Sequence, residues 1–314
     1  MTLPPEDLIP EPGERGRVTD DLPGMLAATV AAWDDFLAAL SSVDMSAPSR
    51  KEGRTAARTL VVLGSWTEGR PLAAQRRDAL AGTTTAEHLD AIEDRVIAAH
   101  VDDPHDELMA ALHRARDDIA QWASGPEVDQ EALLPVAGPL GIVPLGTLVA
   151  ASAYQCAVAA RDLAPAGVIA SPDLLAHGLT ALLDTVGAVA SQQGEALTLT
   201  ALTPQVSIGT GARDGDWRTA RVDSAQGPTV MCDAGLLIDI ASGRASAPAA
   251  YARGEIRAQD LPGLLVVAQV LARSPGLPGT EGLRTALAAY ETSAAAAKAV
   301  GDAVGSAWKK LRGR

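Results

Sequence analysis

Few side chains in this 314-residue chain are equipped for chemistry: it has two cysteines and five histidines. The histidines are His88, His100, His105, His113 and His177. No two are three or four residues apart, so no helix offers the paired imidazoles of a divalent-metal site. His113 follows Leu112 on a helix whose apolar stripe excludes it, which reads as a solvent-facing side chain. Cys156 and Cys232 lie far apart and match no Cys-x-x-Cys or zinc spacing. A nucleophilic thiol needs a base or cation beside it, and the helix around Cys156 supplies none. Both cysteines read as buried free thiols. Gly209 and Gly211 do not open a helix, so a phosphate loop is not indicated. Asp214-Gly215-Asp216 lacks the other ligands of a calcium loop and reads as a turn.

The elements that would position any site fall into two patterns. Residues 1–19 are rich in Pro, Glu and Gly and are expected to be a flexible arm. A helix then begins near Asp20 and Asp21, with Pro23 in its first turn; Leu26, Val30, Trp33, Leu37 and Leu40 form one stripe. A second helix is expected over 56–66, and a third over 86–99 with Leu89, Ile92 and Val96 in register. Asp103-Pro104 reads as an N-cap followed by proline at the first helical position. Leu108, Leu112, Ala115, Ile119 and Trp122 form the next stripe, which Gly125 and Pro126 end. Residues 125–143 read as a Pro/Gly-rich loop and 144–163 as the last long helix. Helices joined in this way predict an up-and-down bundle over 20–165.

A linker over 164–172 separates a different texture. A helix opens at Ser171-Pro172, and strand signals follow at 197–200 and 206–208. Asp214-Gly215 is a hairpin turn leading into a strand over Trp217–Val222, with a further strand over Thr229–Cys232. Asp233 can cap a helix through Ile240 that Gly243 ends, and a last helix runs from about Asp260 to Leu271. The expected class is therefore α+β, with a helical bundle followed by an α+β domain over 172–273. Residues 274–314 form an Ala-rich tail with a basic end, including Lys309, Lys310 and Arg312, and with Trp308 and Leu311 as apolar anchors.

Composition narrows the function classes. Hydrophobic residues make up 47%, enough for a core in each half, while aromatics are only 3%. The net charge of -13 repels phosphate backbones, so nucleic acid is not an expected partner. No signal-peptide pattern and no uninterrupted run of roughly 20 apolar residues is present, so a soluble, cytoplasmic protein is expected. Unpaired cysteines suit a reducing compartment.

Three segments of the first half carry a resemblance. They are Trp33 to Leu40, the stretch from Arg58 through Leu60-Val61-Val62-Leu63 to Trp66, and Tyr154-Gln155-Cys156 through Arg161-Asp162-Leu163. In the second half Asp239 to Arg244 and Gly254 to Arg257 add to it. Their order resembles the actinobacterial mycothiol-dependent maleylpyruvate isomerase-like family. That resemblance implies a DinB-like bundle followed by a sterol-carrier-protein-like α+β domain. It also implies a divalent metal held by two His and one Glu, with mycothiol as the thiol. Residue by residue, the ligand positions fall on Val62, Gln155 and Ala159, while Asp162 is retained. Only the Gln155 carbonyl oxygen could ligate at all. The metal set is thus degenerate, and Val62 and Ala159 are expected to close the bundle with apolar side chains. Arg244 falls on the family's Gly-Arg position, where it could clasp a carboxylate or serve as a cation at a helix C-terminus.

The resulting expectation is a non-catalytic binder of a small apolar or acidic ligand at the domain interface. Gln155 and Arg244 are its candidate ligand contacts, with no metal, cofactor or catalytic residue of its own. A mycothiol-dependent transferase or isomerase with a non-standard site, and a protein-interaction or regulatory role, are the alternatives. The sequence leaves the oligomeric state open.

Overall fold

In the computed structural model, residues 2–3, 5–11, 22–82, 89–138, 141–225 and 227–273 are described. The basic-ended tail after 273, His88 and the helix start at Asp20 and Asp21 lie outside the described residues.

The first half is helical: α1 (Leu22–Ala39), α2 (Ala56–Val61), α3 (Leu72–Ala81), α4 (Leu89–His100), α5 (His105–Ala123), α6 (Val128–Glu131) and α7 (Leu145–Asp162), with a short hairpin of β2 (Pro135–Gly138) and β3 (Gly141–Pro144) before α7. After it come α8 (Pro172–Gln192), β4 (Leu197–Leu202), β5 (Ser207–Arg213), β6 (Asp216–Val222), β7 (Thr229–Met231), α9 (Ala234–Ala241), α10 (Ala247–Ala252), β8 (Arg257–Gln259) and α11 (Leu261–Ala272). With β1 (Thr2–Leu3), the strands make a six-stranded sheet in the order β1-β6-β5-β4-β7-β8. The class is α+β, a helical N-terminal region with a C-terminal sheet.

Local chemistry explains the best-read elements. The stripe of α5 buries Leu108, Leu112, Ile119 and Trp122. Ser171 caps α8 by accepting the Leu174 amide at 3.0 Å, and its hydroxyl also donates to Asp35 on α1. Asp214 and Gly215 both adopt positive φ, 52° and 88°, which is the geometry of a tight two-residue hairpin turn between β5 and β6. Asp233 caps α9 by accepting the Gly235 amide at 2.8 Å.

One buried core runs from Leu22 to Val270 through both halves. Helix α8 is the reason: it packs on α1 and α7 on one side and on β5 and β6 on the other. It is long and apolar enough to cross a membrane, but 89% of its apolar window is buried inside the protein. Its approach to α7 is close because Gly178 has no side chain; a Cβ there would lie 2.5 Å from the Ala157 Cβ.

Several expectations are corrected. Within the arm expected to be flexible over 1–19, Thr2–Leu3 pairs parallel to β6 and Leu8 is 1% exposed, while residues 12–19 lie outside the described residues. Gly209 and Gly211 make this possible, because a Cβ on either would strike Leu8. The second helix ends at Val61 rather than Trp66; the Trp66 indole folds back to donate to the Val61 carbonyl at 2.8 Å. The loop expected over 125–143 contains α6 and the β2–β3 hairpin, and α3 and α10 had no counterpart in the sequence pattern. Asp103 does not cap α5: its carboxylate binds His100 at 2.7 Å, and Pro104 occupies the cap position.

Candidate functional site

Helix α7 supplies one wall of a cavity. Leu148, Ala151, Gln155, Ala159 and Asp162 recur at spacings of three and four, so they share a face. Val62 and Leu63 come from the end of α2, Ile92 and Glu93 from α4, Leu182 and Thr185 from α8, and Ala137 and Gly138 from β2. Ser242 and Arg244 reach in from the loop after α9, and Lys51 and Arg54 from the loop before α2. The space is about 270 Å³ and open to solvent, slightly below the roughly 300 Å³ at which ordinary ligand pockets begin.

Val62, Gln155 and Ala159 therefore line one cavity together with Arg244. As expected, Ala159 is buried in the core and Val62 packs against it, and both also present apolar surface to the cavity. Gln155 is exposed. The three side chains do not fit a divalent ion, since two carry no donor atom. Among the described residues no group of three or more His, Cys, Asp or Glu side chains converges as a metal set.

Arg244 meets a carboxylate, but one supplied by this chain. Its Nε donates to Asp162 Oδ1 at 2.8 Å, its Nη2 to Asp162 Oδ2 at 2.6 Å and its Nη1 to the Ser242 carbonyl at 2.9 Å. The pairing holds the Arg244 guanidinium above its ordinary pKa. Asp162 is 2% exposed, so the pair is largely desolvated. Nearby, Asp239 on α9 accepts two guanidinium forks, from Arg161 on α7 at 2.7 and 2.5 Å and from Arg50 at 3.0 and 2.9 Å. Burial pushes the Asp239 carboxyl up, and the two forks outweigh it, leaving its pKa lowered. Sequence reasoning retained Asp162 but missed Asp239 and its partners, which lie 78 and 189 residues away along the chain.

The second charged group at the cavity was also missed. Lys51 Nζ donates to Glu93 Oε2 at 2.7 Å, and Arg54 Nη2 donates to the same oxygen. The run Arg50-Lys51-Glu52-Gly53-Arg54 was the available signal, but such runs are ordinarily solvated. Tyr154 is half-buried between these groups; burial raises its phenol, with the carboxylate of Asp162 adding to the effect.

The remaining candidates lie apart. Cys156 is fully buried and does not line the cavity, and burial raises its thiol well above the ordinary range. Cys232 is half-buried with its thiol pushed up to about 11, by burial first and then by Asp233. Neither is a thiolate at neutral pH. His105 and His113 are exposed, as a solvated reading expects, whereas His100 and His177 are half-buried. His100 stacks on Trp66 at 3.8 Å and bridges Glu68 and Asp103 at 3.0 and 2.7 Å.

No family model and no curated protein matches the chain. Among solved structures it is similar to a mycothiol-dependent maleylpyruvate isomerase and to a variant of that enzyme. Both are 18% identical, over 77% of this chain and 94% of theirs, with TM-scores of 0.48 and 0.47. It is also similar to a stereoselective inverting sec-alkylsulfatase from Pseudomonas sp., at 17% identity over 69% of this chain and 32% of the other, with a TM-score of 0.24. Likenesses this distant carry no argument about function, which has to come from the site.

Proposed function

We propose that the chain is a binding protein that takes a small molecule into the cavity between α2, α4, α7, α8 and the loop after α9. The observation that carries this reading is a single open space of about 270 Å³ that joins an apolar wall to a charged end. Apolar walls supply affinity through water release, and a few fixed polar groups supply orientation. No catalytic role is assigned: Val62 and Ala159 offer no donor atom, and both thiols are held protonated. Two free cysteines and the burial of α8 support a soluble protein of a reducing cytosol.

The test is native mass spectrometry of protein purified without a His tag, paired with elemental analysis. A co-purified small molecule that is lost from Val62→Trp, in which the added ring fills the cavity, is the expected result. Retention of the same molecule by a folded Val62→Trp variant would sink the reading. So would one equivalent of zinc or nickel whose removal by chelator displaces the ligand.

A further inference from the structure

We propose that the ligand of this cavity is a small amphipathic anion, with one acidic group on an apolar body, and that its acid lodges between Lys51 and Arg54 rather than on Arg244. The inference rests on the cavity being a ligand site, as proposed above. It follows from which cationic groups have donors left to give.

Arg244 is already committed. Three of its five N–H donors are used, and its Nε/Nη2 fork is filled by Asp162, so a ligand acid could take that fork only by displacing a buried carboxylate of the protein. Arg54 is in the opposite state. Its side chain is 14% exposed, and among the described residues its guanidinium makes one hydrogen bond, from Nη2 to Glu93. A guanidinium carries five N–H donors in a fixed fork, so most of the Arg54 fork remains available at the cavity wall. Lys51 has three donors and gives one to the same Glu93 oxygen.

Charge points the same way. Lys51, Arg54 and Glu93 sum to one positive charge around a carboxylate that is 7% exposed. Asp162 and Arg244 cancel each other. A chain of net charge -13 therefore presents a cationic end in this cavity. One anion neutralises that end and takes up the vacant donors with charge-assisted hydrogen bonds. A cationic ligand would be repelled, and a neutral one would leave the donors unmet.

The cavity is also lined by Val62, Leu63, Ile92, Leu148 and Val158, which fits a saturated or aromatic body. The volume of about 270 Å³ equals roughly nine waters at ~30 Å³ each, so the body is small. Glu93 then acts as an internal occupant of the anion site, with which the ligand acid competes for the two cations.

The experiment is isothermal titration calorimetry on the full chain with octanoate, octan-1-ol and octylamine, which share an apolar body and differ in head-group charge. Octanoate is expected to bind about 30-fold more tightly than octan-1-ol, the ratio set by one hydrogen-bonded charge contact. Octylamine should bind more weakly than either. Arg54→Met and Lys51→Met should each weaken octanoate by a similar factor and leave octan-1-ol unchanged. Glu93→Gln should tighten octanoate, because it removes the competing charge; it also decides the matter if a methionine variant does not fold. If octan-1-ol binds as well as octanoate, or if Glu93→Gln leaves octanoate binding unchanged or weaker, the anion assignment is overturned while the cavity reading stands. If none of the three probes binds, the cavity reading fails and this inference fails with it.

Discussion

Asp184 sits in the middle of α8, 1% exposed, where the helix packs on the sheet. The Trp217 indole donates to its Oδ1 at 3.0 Å, and its Oδ2 has no hydrogen-bond partner among the described residues. Burial raises its pKa from 3.8 to about 6, against the smaller opposing pull of Trp217 and the hydroxyls of Thr219 and Thr147. The folded state thus prefers the neutral acid. The raised pKa contributes stability in full below about pH 4, and that contribution is lost as pH rises through about 6. A shift of about two units at 1.36 kcal/mol each amounts to about 3 kcal/mol. Asp184→Asn keeps the shape and cannot ionise. Urea unfolding of wild type and variant from pH 4 to pH 8 measures the difference. The variant should gain on the wild type by about 3 kcal/mol between pH 4 and pH 7.5, with most of the change between pH 4 and pH 6.5. A stability difference that stays flat across that range would refute the reasoning, because it would mean that the carboxyl is equally ionised in the folded and unfolded chains.

Other substitutions test the packing and the charge pairs by chemical denaturation. Arg244→Ala strands Asp162 at 2% exposure and should cost about 3–5 kcal/mol, most of which the added Asp162→Ala should restore; a loss below about 1 kcal/mol would mean that the pair is not desolvated. Gly178→Ala forces a Cβ to 2.5 Å from Ala157 and should destabilise by about 1–3 kcal/mol; a neutral outcome would show that α7 and α8 part without strain. Leu8→Ala should cost about 2 kcal/mol or more, since Leu8 packs with Ala220 and Val222; no loss would mean that the N-terminal segment does not hold its place on the sheet.

The parts of the fold that could be read from the sequence are those specified over short distances. The stripe of α5, the Ser171 cap of α8, the Asp214-Gly215 turn and the Asp233 cap each depend on residues within a turn or two of one another. Elements without such a signal were missed. Helix α3, Leu72–Ala81, buries only Ala79 and so has no apolar stripe to find. The strands β2 and β3 lie in a Pro/Gly-rich stretch and pair with each other, and they bury Val136 and Val143 against helices far away in the chain, so their role shows only in the folded protein. The N-terminal segment looked unstructured because its partners, β6 and the two glycines of β5, are about 200 residues away.

The sequence by itself determined that Val62 and Ala159 bring no donor atom to the bundle, because that is a property of side-chain type alone. It also placed Val62, Gln155 and Ala159 on helices that could face one another. Whether those positions closed on a packed core or on open space was decided by tertiary packing, which left about 270 Å³ among them. The assignment of charges was decided there too. Arg244 pairs with Asp162 across 82 residues and Arg54 with Glu93 across 39, and an arginine's partner depends on which carboxylate folding brings within reach. Local patterns fix which face a residue occupies, whereas desolvated ion pairs form only where distant segments meet, and for that reason the charged end of the cavity became visible only in the folded chain.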